Sequence, residues 1–312
     1  EEEEIRLRIP IVALEGIVCF GQVSMSPALM AFCAERQVGV SFHSEHGRFL
    51  ARVQGPVHGN VLLRREQYRR ADSDSASTEV ARSVVVAKVA NARVSLLRAS
   101  RDRPSTSLDT AVARWAEALR LLDRACGLDE LRGVEGDAAR AYFDVFDEMI
   151  LQQKESFWFR ERSRRPPLDN MNSLLSFLYA LLAHDVTSAL EAVGLDPAVG
   201  FLHRDRPGRA GLALDLMEEF RTVLADRLAL TLVNRKQVNA SGFTRTESGG
   251  IIMGEATRKE VLTSWQLRKH EELMHPFLAE KIPLGLLPYA QALLLARYLR
   301  GDLDAYPPFL WR

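Results

Sequence analysis

One change of period governs what this chain can become. Up to about residue 65 the apolar side chains alternate or gather in short β-branched runs. After about residue 80 they recur every ~3.6 residues almost to the end. A period of two puts alternate side chains on one face of a strand, and a period of 3.6 lines them along one stripe of a helix. A single switch between them predicts an α+β chain: a small N-terminal β-rich domain, then a larger all-α domain. The 312 residues are long enough to give each part its own core.

The polar stretch ADSDSASTEV at 71–80 reads as the linker, so the expected boundaries are 1–70, 71–80 and 81–312. In the first part, IRLRIPIVALEGIVCFG carries strand patterning broken at Pro10 and Gly16. VGVSFHSEHGRFLARVQ reads as a hairpin turning at Ser44 to Gly47. Between them Ser26 fits an N-cap and Pro27 the first helical position, with Leu29, Met30, Phe32 and Cys33 on the buried side. In the second part helices are expected over 78–99, 108–126, 135–153, 170–193, 211–234, 255–278 and 284–300, with a hairpin or ordered loop at 241–254.

The totals exclude several classes. Cys19, Cys33 and Cys126 are far apart and odd in number, which gives neither a disulfide framework nor a zinc pattern and suits a reducing cytoplasm. No run of about 18 uncharged apolar residues appears, so no membrane span is expected. The start EEEEIRLRIP is opposite in charge to a signal peptide. The 41 basic and 41 acidic residues cancel, which taken alone argues against nucleic acid. Cations nevertheless concentrate in RERSRR at 160–165 and RDRPGR at 204–209. Arginine dominates them, and its fork suits phosphate.

The chemistry concentrates in FLHRDRPGRAGLALDLMEEFR, residues 201–221. On a helical wheel Leu212, Leu216, Met217, Phe220, Val223 and Leu224 share one arc, and Asp215, Glu218 and Glu219 gather opposite. Acids three and four apart repel one another, and a bound cation reverses that sign. A solvated acidic face fits the same pattern. His203 stands twelve residues before Asp215, across a loop with Pro207, Gly208 and Gly211 that can bring the imidazole back to the acids. Imidazole with carboxylates suits Mn²⁺, or Mg²⁺ completed by phosphate and water. A third ligand could come from Glu135, which Gly133 and Gly136 bracket where a helix is expected to begin; an acid stabilising a helix N-terminus explains it equally. His184-Asp185, inside a long apolar helix, reads as a helix-to-helix polar contact; His43 and His46 sit on a hairpin tip with only Glu45 near, His270 and His275 lack a matching partner, and Ser163 and the cysteines lack an adjacent base. Trp158 and Phe159 beside the first arginine cluster could stack on bases or belong to the core.

RGVEGDAARAYF at 132–143, NSLLSFLYALL at 172–182, GFLHRDRPGRAGLALDLMEEFR at 200–221 and YPPFLW at 306–311 occur in this order behind LEGIVCFG and SPALMAFCAERQVGVSF. Together they resemble the CRISPR-associated integrase-nuclease family, the catalytic subunit of the spacer-acquisition complex, and within it most closely the type I-C branch. The resemblance covers nearly the whole chain. It implies catalytic metal ligands at Glu135, His203 and Glu218, with Asp215 ligating directly or supporting from behind, and Mg²⁺ or Mn²⁺ as the ion. Many relatives have Asp where this chain has Glu218. Glu219 is read as solvated or as an arginine partner.

The resemblance further implies strand transfer, in which the 3′-hydroxyl of a short DNA fragment attacks a phosphodiester at the edge of a CRISPR repeat, with nuclease activity alongside. Arg132, Arg160, Arg162, Arg164, Arg165, Arg204, Arg206 and Arg209 are then the expected DNA contacts. Phosphate contacts position a duplex without reading its sequence. The implied partners are double-stranded DNA (fragment and repeat), a second copy of the chain joined through the β-rich domain, and the small second adaptation subunit. Two homodimers would flank a dimer of that subunit in a heterohexamer, and an iron–sulfur nuclease would trim fragments in trans. A metal-dependent nuclease acting on branched DNA in repair is the rival enzyme, and a DNA-binding scaffold the rival without catalysis.

Overall fold

The computed structural model describes residues 7–14, 16–36, 38–45, 49–53, 55, 61–125 and 127–311. Glu1 to Glu4, His46, the centre of the turn at 46–48 and Cys126 lie outside them. The class is α+β as expected, a small sheet-bearing unit before a mostly helical one, and the division falls between residues 59 and 60.

The first unit is built from β1 (Gly16–Phe20), α1 (Pro27–Glu35), β2 (Gly39–His43) and β3 (Phe49–Val53). The sheet order is β1-β2-β3; β1 runs parallel to β2 and β2 antiparallel to β3. A parallel pair needs a crossover, which α1 provides. The helix starts where the sequence predicts: Ser26 is extended, its hydroxyl accepts the Leu29 N–H at 3.2 Å, and Pro27 occupies the first turn. Its expected buried side holds only in part. Cys33 sits in a core with Val38 and Val40, but Leu29 and Phe32 are exposed, with the Arg36 guanidinium over the Phe32 ring. Three strands of five residues cover only one side of a helix.

The helical unit begins earlier than expected, and the linker at 71–80 is not one. α2 (Val61–Asp72) and α3 (Asp74–Asp102) follow each other with only Ser73 between. Ser73 is extended and its hydroxyl accepts from Ala76 N, while Ser77 Oγ donates to the carbonyls of Arg70 and Ala71. The polar residues that suggested a linker are a helix cap and a staple between two helices. α2 is also tied into this unit: Gln67, fully buried, donates to the carbonyls of Asp196 and Val199 and accepts Asp196 N–H.

α3 packs against α4 (Thr106–Arg124), α5 (Leu128–Asp144) and α7 (Gly211–Met217), while α6 (Asn170–Ala192) packs on α7, α8 (Arg227–Asn234) and α10 (Leu287–Arg300), and α9 (Glu255–His270) packs on α8. The single helix expected over 211–234 is interrupted: after α7 comes a turn, then a π-helical segment at Arg221–Asp226 before α8. Such segments often mark functional positions. Of the hairpin or ordered loop expected at 241–254, a hairpin forms, with β4 (Phe243–Arg245) antiparallel to β5 (Ile251–Met253). Helix was expected through 278, but α9 stops at His270, and β6 (Glu272–Met274) pairs with β7 (Lys281–Pro283). Pro276 disfavours helical geometry in the residue before it, and His275 instead takes a buried place, its Nε2 3.0 Å from Gln291 Oε1. By length and composition alone α6 could cross a membrane, but over half of its apolar window is buried and it packs on α7, α8 and α10. It is a core helix here.

Candidate metal centre

α5, the loop before α7 and the turn after α7 bring Glu135, His203 and Glu218 to one cavity of about 260 Å³. Its lining includes Lys88, Glu135, Tyr142, Arg164, Tyr179, His203, Glu218, Arg221 and Thr222. Glu135 comes from α5, but not from its start: the helix begins at Leu128, so Glu135 lies about two turns in. Gly133 and Gly136 are inside that helix with open space where a Cβ would stand, so neither is needed to bend the chain.

His203 lies in the loop between α6 and α7, and two glycines let this loop close. A Cβ on Gly200 would come within 2.6 Å of the Gly211 backbone and 2.9 Å of Asp215 Oδ2; one on Gly211 would meet the carbonyls of Ala198 and His203 at 2.7 Å. Asp215 organises the closed loop. Its Oδ2 accepts the N–H groups of Phe201 at 2.6 Å and Leu202 at 2.9 Å. Its Oδ1 accepts His203 N–H at 2.9 Å and lies 2.7 Å from His203 Nδ1. Four donors occupy both oxygens, the arrangement of a carboxylate that supports the imidazole from behind. It fixes the imidazole so that Nε2 is the nitrogen left for another partner.

The acidic face read from the helical wheel is not solvated. Asp215, Glu218 and Glu219 are 1%, 3% and 0% exposed, because α7 and the turn after it are buried almost throughout. Glu218 belongs to the cavity. Arg221 Nη2 lies 3.0 Å from its Oε1 and Lys88 Nζ 2.8 Å from its Oε2. The Lys88 contact is an ion pair without good hydrogen-bond geometry, since Oε2 is otherwise a buried oxygen lacking a hydrogen-bond partner. Burial opposes ionisation of Glu218, but Arg221 and Lys88, with His203 nearby, outweigh it and pull its pKa down to about 2.

Glu219, expected in solvent or on an arginine, faces the other way. Its carboxyl accepts from Tyr306 Oη at 2.6 Å, Phe309 N at 2.7 Å and Gln291 Nε2 at 3.1 Å. Burial raises its pKa to about 8 against those donors. It anchors the C-terminal YPPFLW segment, and Asn91 adds bonds to the carbonyls of Glu219 and Phe309.

Lys88 also pairs with Glu135, so its ammonium stands between the two candidate carboxylates. Among the described residues no three His, Cys, Asp or Glu side chains are close enough to share an ion. The donor set still suits a hard divalent cation: two carboxylates and an imidazole line one cavity, and the buried Glu218 Oε2 lacks a well-formed hydrogen bond. The space such an ion needs is the space Lys88 Nζ holds.

Sequence reading missed Lys88, Arg221 and the tyrosines. Asp226 accepts from Tyr179 Oη at 2.6 Å and Tyr142 Oη at 3.0 Å, and Arg162 and Arg221 flank the Tyr179 ring at 5.2 and 5.0 Å. Burial raises the Asp226 pKa to about 6 despite both hydroxyls and both arginines. The one available signal was a lone lysine in the apolar run SVVVAKVANARV.

The arginines divide. Arg132 donates to the Leu202 carbonyl through Nε at 3.2 Å and Nη2 at 2.8 Å, and pairs with Asp129. Arg162 is held by Asn172 Oδ1 at 2.7 Å and Ser176 Oγ at 3.0 Å. Arg204 pairs with Asp74 and donates to the Ala71 carbonyl. In these three each guanidinium ties loop to helix. Arg160, Arg164, Arg165 and Arg206 are exposed and Arg209 half-buried, and Arg164 alone of these lines the cavity. Phe159 packs in the core against Phe143 and Phe146, while Trp158 is exposed with Arg160 over its ring. Asp185 is a helix-to-helix contact as expected, reaching Trp265 Nε1 and Lys269 Nζ at 3.3 Å.

The profile of the family described as CRISPR associated protein Cas1 matches residues 1–267. The CRISPR-associated endonuclease Cas1 1 of Chlorobaculum tepidum is 54% identical over 311 residues, 98% of this chain and 91% of that protein. Among solved structures, a casposase bound to integration product is similar at 23% identity with a TM-score of 0.85, over 96% of this chain and 82% of that one. A chain of a Cas6-RT-Cas1–Cas2 complex is similar at 23% identity and a TM-score of 0.82, over 100% of this chain and 33% of the other.

Proposed function

The chain belongs to the CRISPR-associated Cas1 family of endonucleases, and on that premise we propose that it is the metal-dependent integrase of spacer acquisition. Its reaction joins the 3′-hydroxyl ends of short DNA fragments to the CRISPR repeat by transesterification. The observation that carries this reading is the meeting of Glu135, His203 and Glu218 at one cavity, with Asp215 orienting the imidazole. Glu135, Glu218 and His203 Nε2 would hold Mg²⁺ or Mn²⁺. A divalent ion there supplies Lewis-acid activation of the attacking hydroxyl and charge stabilisation at the phosphate.

The protein's own groups account for the rest. Arg164, exposed at the cavity, offers a fork to a phosphate oxygen. Arg160, Arg165, Arg206 and Arg209 lead a duplex toward it through contacts that read no sequence. Exchange of one phosphodiester for another needs no nucleotide cofactor, and water in place of the 3′-hydroxyl gives endonuclease cleavage. We assign the chain to the type I-C branch. Its partners are a second copy joined through the β-rich unit, the small second adaptation subunit in a heterohexamer, and an iron–sulfur nuclease acting in trans. Similarity to a chain of a Cas1–Cas2 complex supports the small subunit.

The test is a strand-transfer assay with a 3′-hydroxyl duplex, a repeat-bearing target, the small subunit and Mg²⁺ or Mn²⁺. Glu135→Ala and His203→Ala should abolish joining while DNA binding survives. Normal joining by both variants would refute the assigned centre, and cleavage of branched DNA without joining would favour the repair nuclease.

A further inference from the structure

We infer that Lys88 is a resident counter-cation of the metal centre: its ammonium holds Glu135 and Glu218 together while no divalent ion is bound, and must withdraw when one enters. The inference rests on the proposed metal site and adds a residue that sets how tightly that site takes its ion.

The geometry carries it. Lys88 is on α3, with Val84, Val85 and Ala92 of the same helix buried around it, and its side chain is only 12% exposed. Its Nζ reaches carboxylates from two other elements, Glu135 on α5 and Glu218 after α7. Without a cation the buried Glu218 and the partly buried Glu135 would face each other across the cavity, where like charges shielded from bulk water repel. Arg221 cannot fill this role alone, because it lies on the other oxygen of Glu218 and its guanidinium is flanked by the Tyr179 ring.

The two cations also differ in freedom. Arg221 is a planar fork fixed by an ion pair and a ring. Lys88 is a point charge on a flexible four-carbon stem that donates to Glu135 Oε1, while its contact with Glu218 Oε2 lacks hydrogen-bond alignment. It is therefore the cation that can leave without dismantling the site. Exchange of one ammonium for one divalent ion between two carboxylates gains a unit of positive charge where a phosphate must bind. A lysine suits the exchange; an arginine, bidentate and stiff, would resist it.

The test titrates Mn²⁺ against DNA-free protein and reads free Mn²⁺ by electron paramagnetic resonance, so no catalytic turnover enters. Lys88→Met removes the competing charge and keeps the stem, and should bind Mn²⁺ roughly ten- to a hundredfold tighter than the unaltered chain. Lys88→Arg keeps the charge and should bind no tighter. Melting in EDTA supplies a second readout: Lys88→Met should melt lower than the unaltered chain without metal and recover when Mn²⁺ is added. Equal or weaker Mn²⁺ affinity in Lys88→Met, with normal binding by the unaltered chain, overturns the role of Lys88 and leaves the metal site standing. Absence of Mn²⁺ binding in both, or undiminished binding in Glu135→Gln, overturns the metal site and this inference with it.

Discussion

Replacing Asp215 by Asn probes the loop that carries His203 with almost no change in shape. In the native protein each carboxylate oxygen accepts two donors: two backbone N–H groups on Oδ2, and one backbone N–H with the imidazole Nδ1 on Oδ1. An amide keeps one accepting oxygen and turns an NH₂ toward the other pair, so two charge-assisted bonds are lost and two donors face a donor. At about 1.5–3 kcal/mol for each such bond, the cost is roughly 3–6 kcal/mol. For a domain of this size ~1 kcal/mol moves the midpoint by about 2–4 °C, so melting should fall by roughly 6–24 °C. Mn²⁺ affinity should also drop by about 10–100-fold, because the imidazole loses its orienting partner. Differential scanning fluorimetry and a metal titration read the two effects separately. A variant that melts within about 2 °C of the unaltered chain would refute the claim that Asp215 holds the loop.

Other perturbations separate braces from contacts. Gly200→Ala should leave little folded protein, since the new methyl meets the Gly211 backbone at 2.6 Å; normal yield and melting would contradict it. Arg132→Ala should lower the melting temperature through loss of its bonds to the Leu202 carbonyl, whereas Arg164→Ala should leave melting nearly unchanged and slow strand transfer by about tenfold or more. Asp226→Asn has a pH signature. With its pKa raised from 3.8 unfolded to about 6 folded, the native state holds a proton that the unfolded state has released across that window. Native stability from this group is therefore present below about pH 4, falls as pH rises toward 6, and is level above. The variant cannot ionise, so the melting difference should move in its favour from pH 4 to 6 and then stay constant; a pH-independent difference would count against it.

What sequence could convey here depended on distance along the chain. The Ser26–Pro27 helix start, the helix over 170–193 and the predominance of helix after residue 80 follow from local periodicity and capping, while several helix ends and the continuity of 211–234 do not. The break at 71–80 misled because capping serines and linker serines look alike until the flanking helices are seen packed together. The acids at 215, 218 and 219 misled for another reason. A helical wheel separates apolar from charged positions but cannot tell a solvated face from one buried against other helices, and these acids are buried. Glu218 and Glu219 are neighbours in sequence, yet one faces Lys88 and Arg221 and the other anchors residues about ninety positions away. Lys88 is 47 residues from Glu135 and 130 from Glu218, a separation no local pattern encodes.

A crystal of the protein soaked in Mn²⁺ and measured at the manganese absorption edge tests the central claim most directly. The account expects one anomalous peak about 2.1 Å from oxygens of Glu135 and Glu218 and from His203 Nε2, with Lys88 Nζ withdrawn from between the carboxylates. A saturated crystal with no peak there, and the ammonium still bridging the two glutamates, would contradict it.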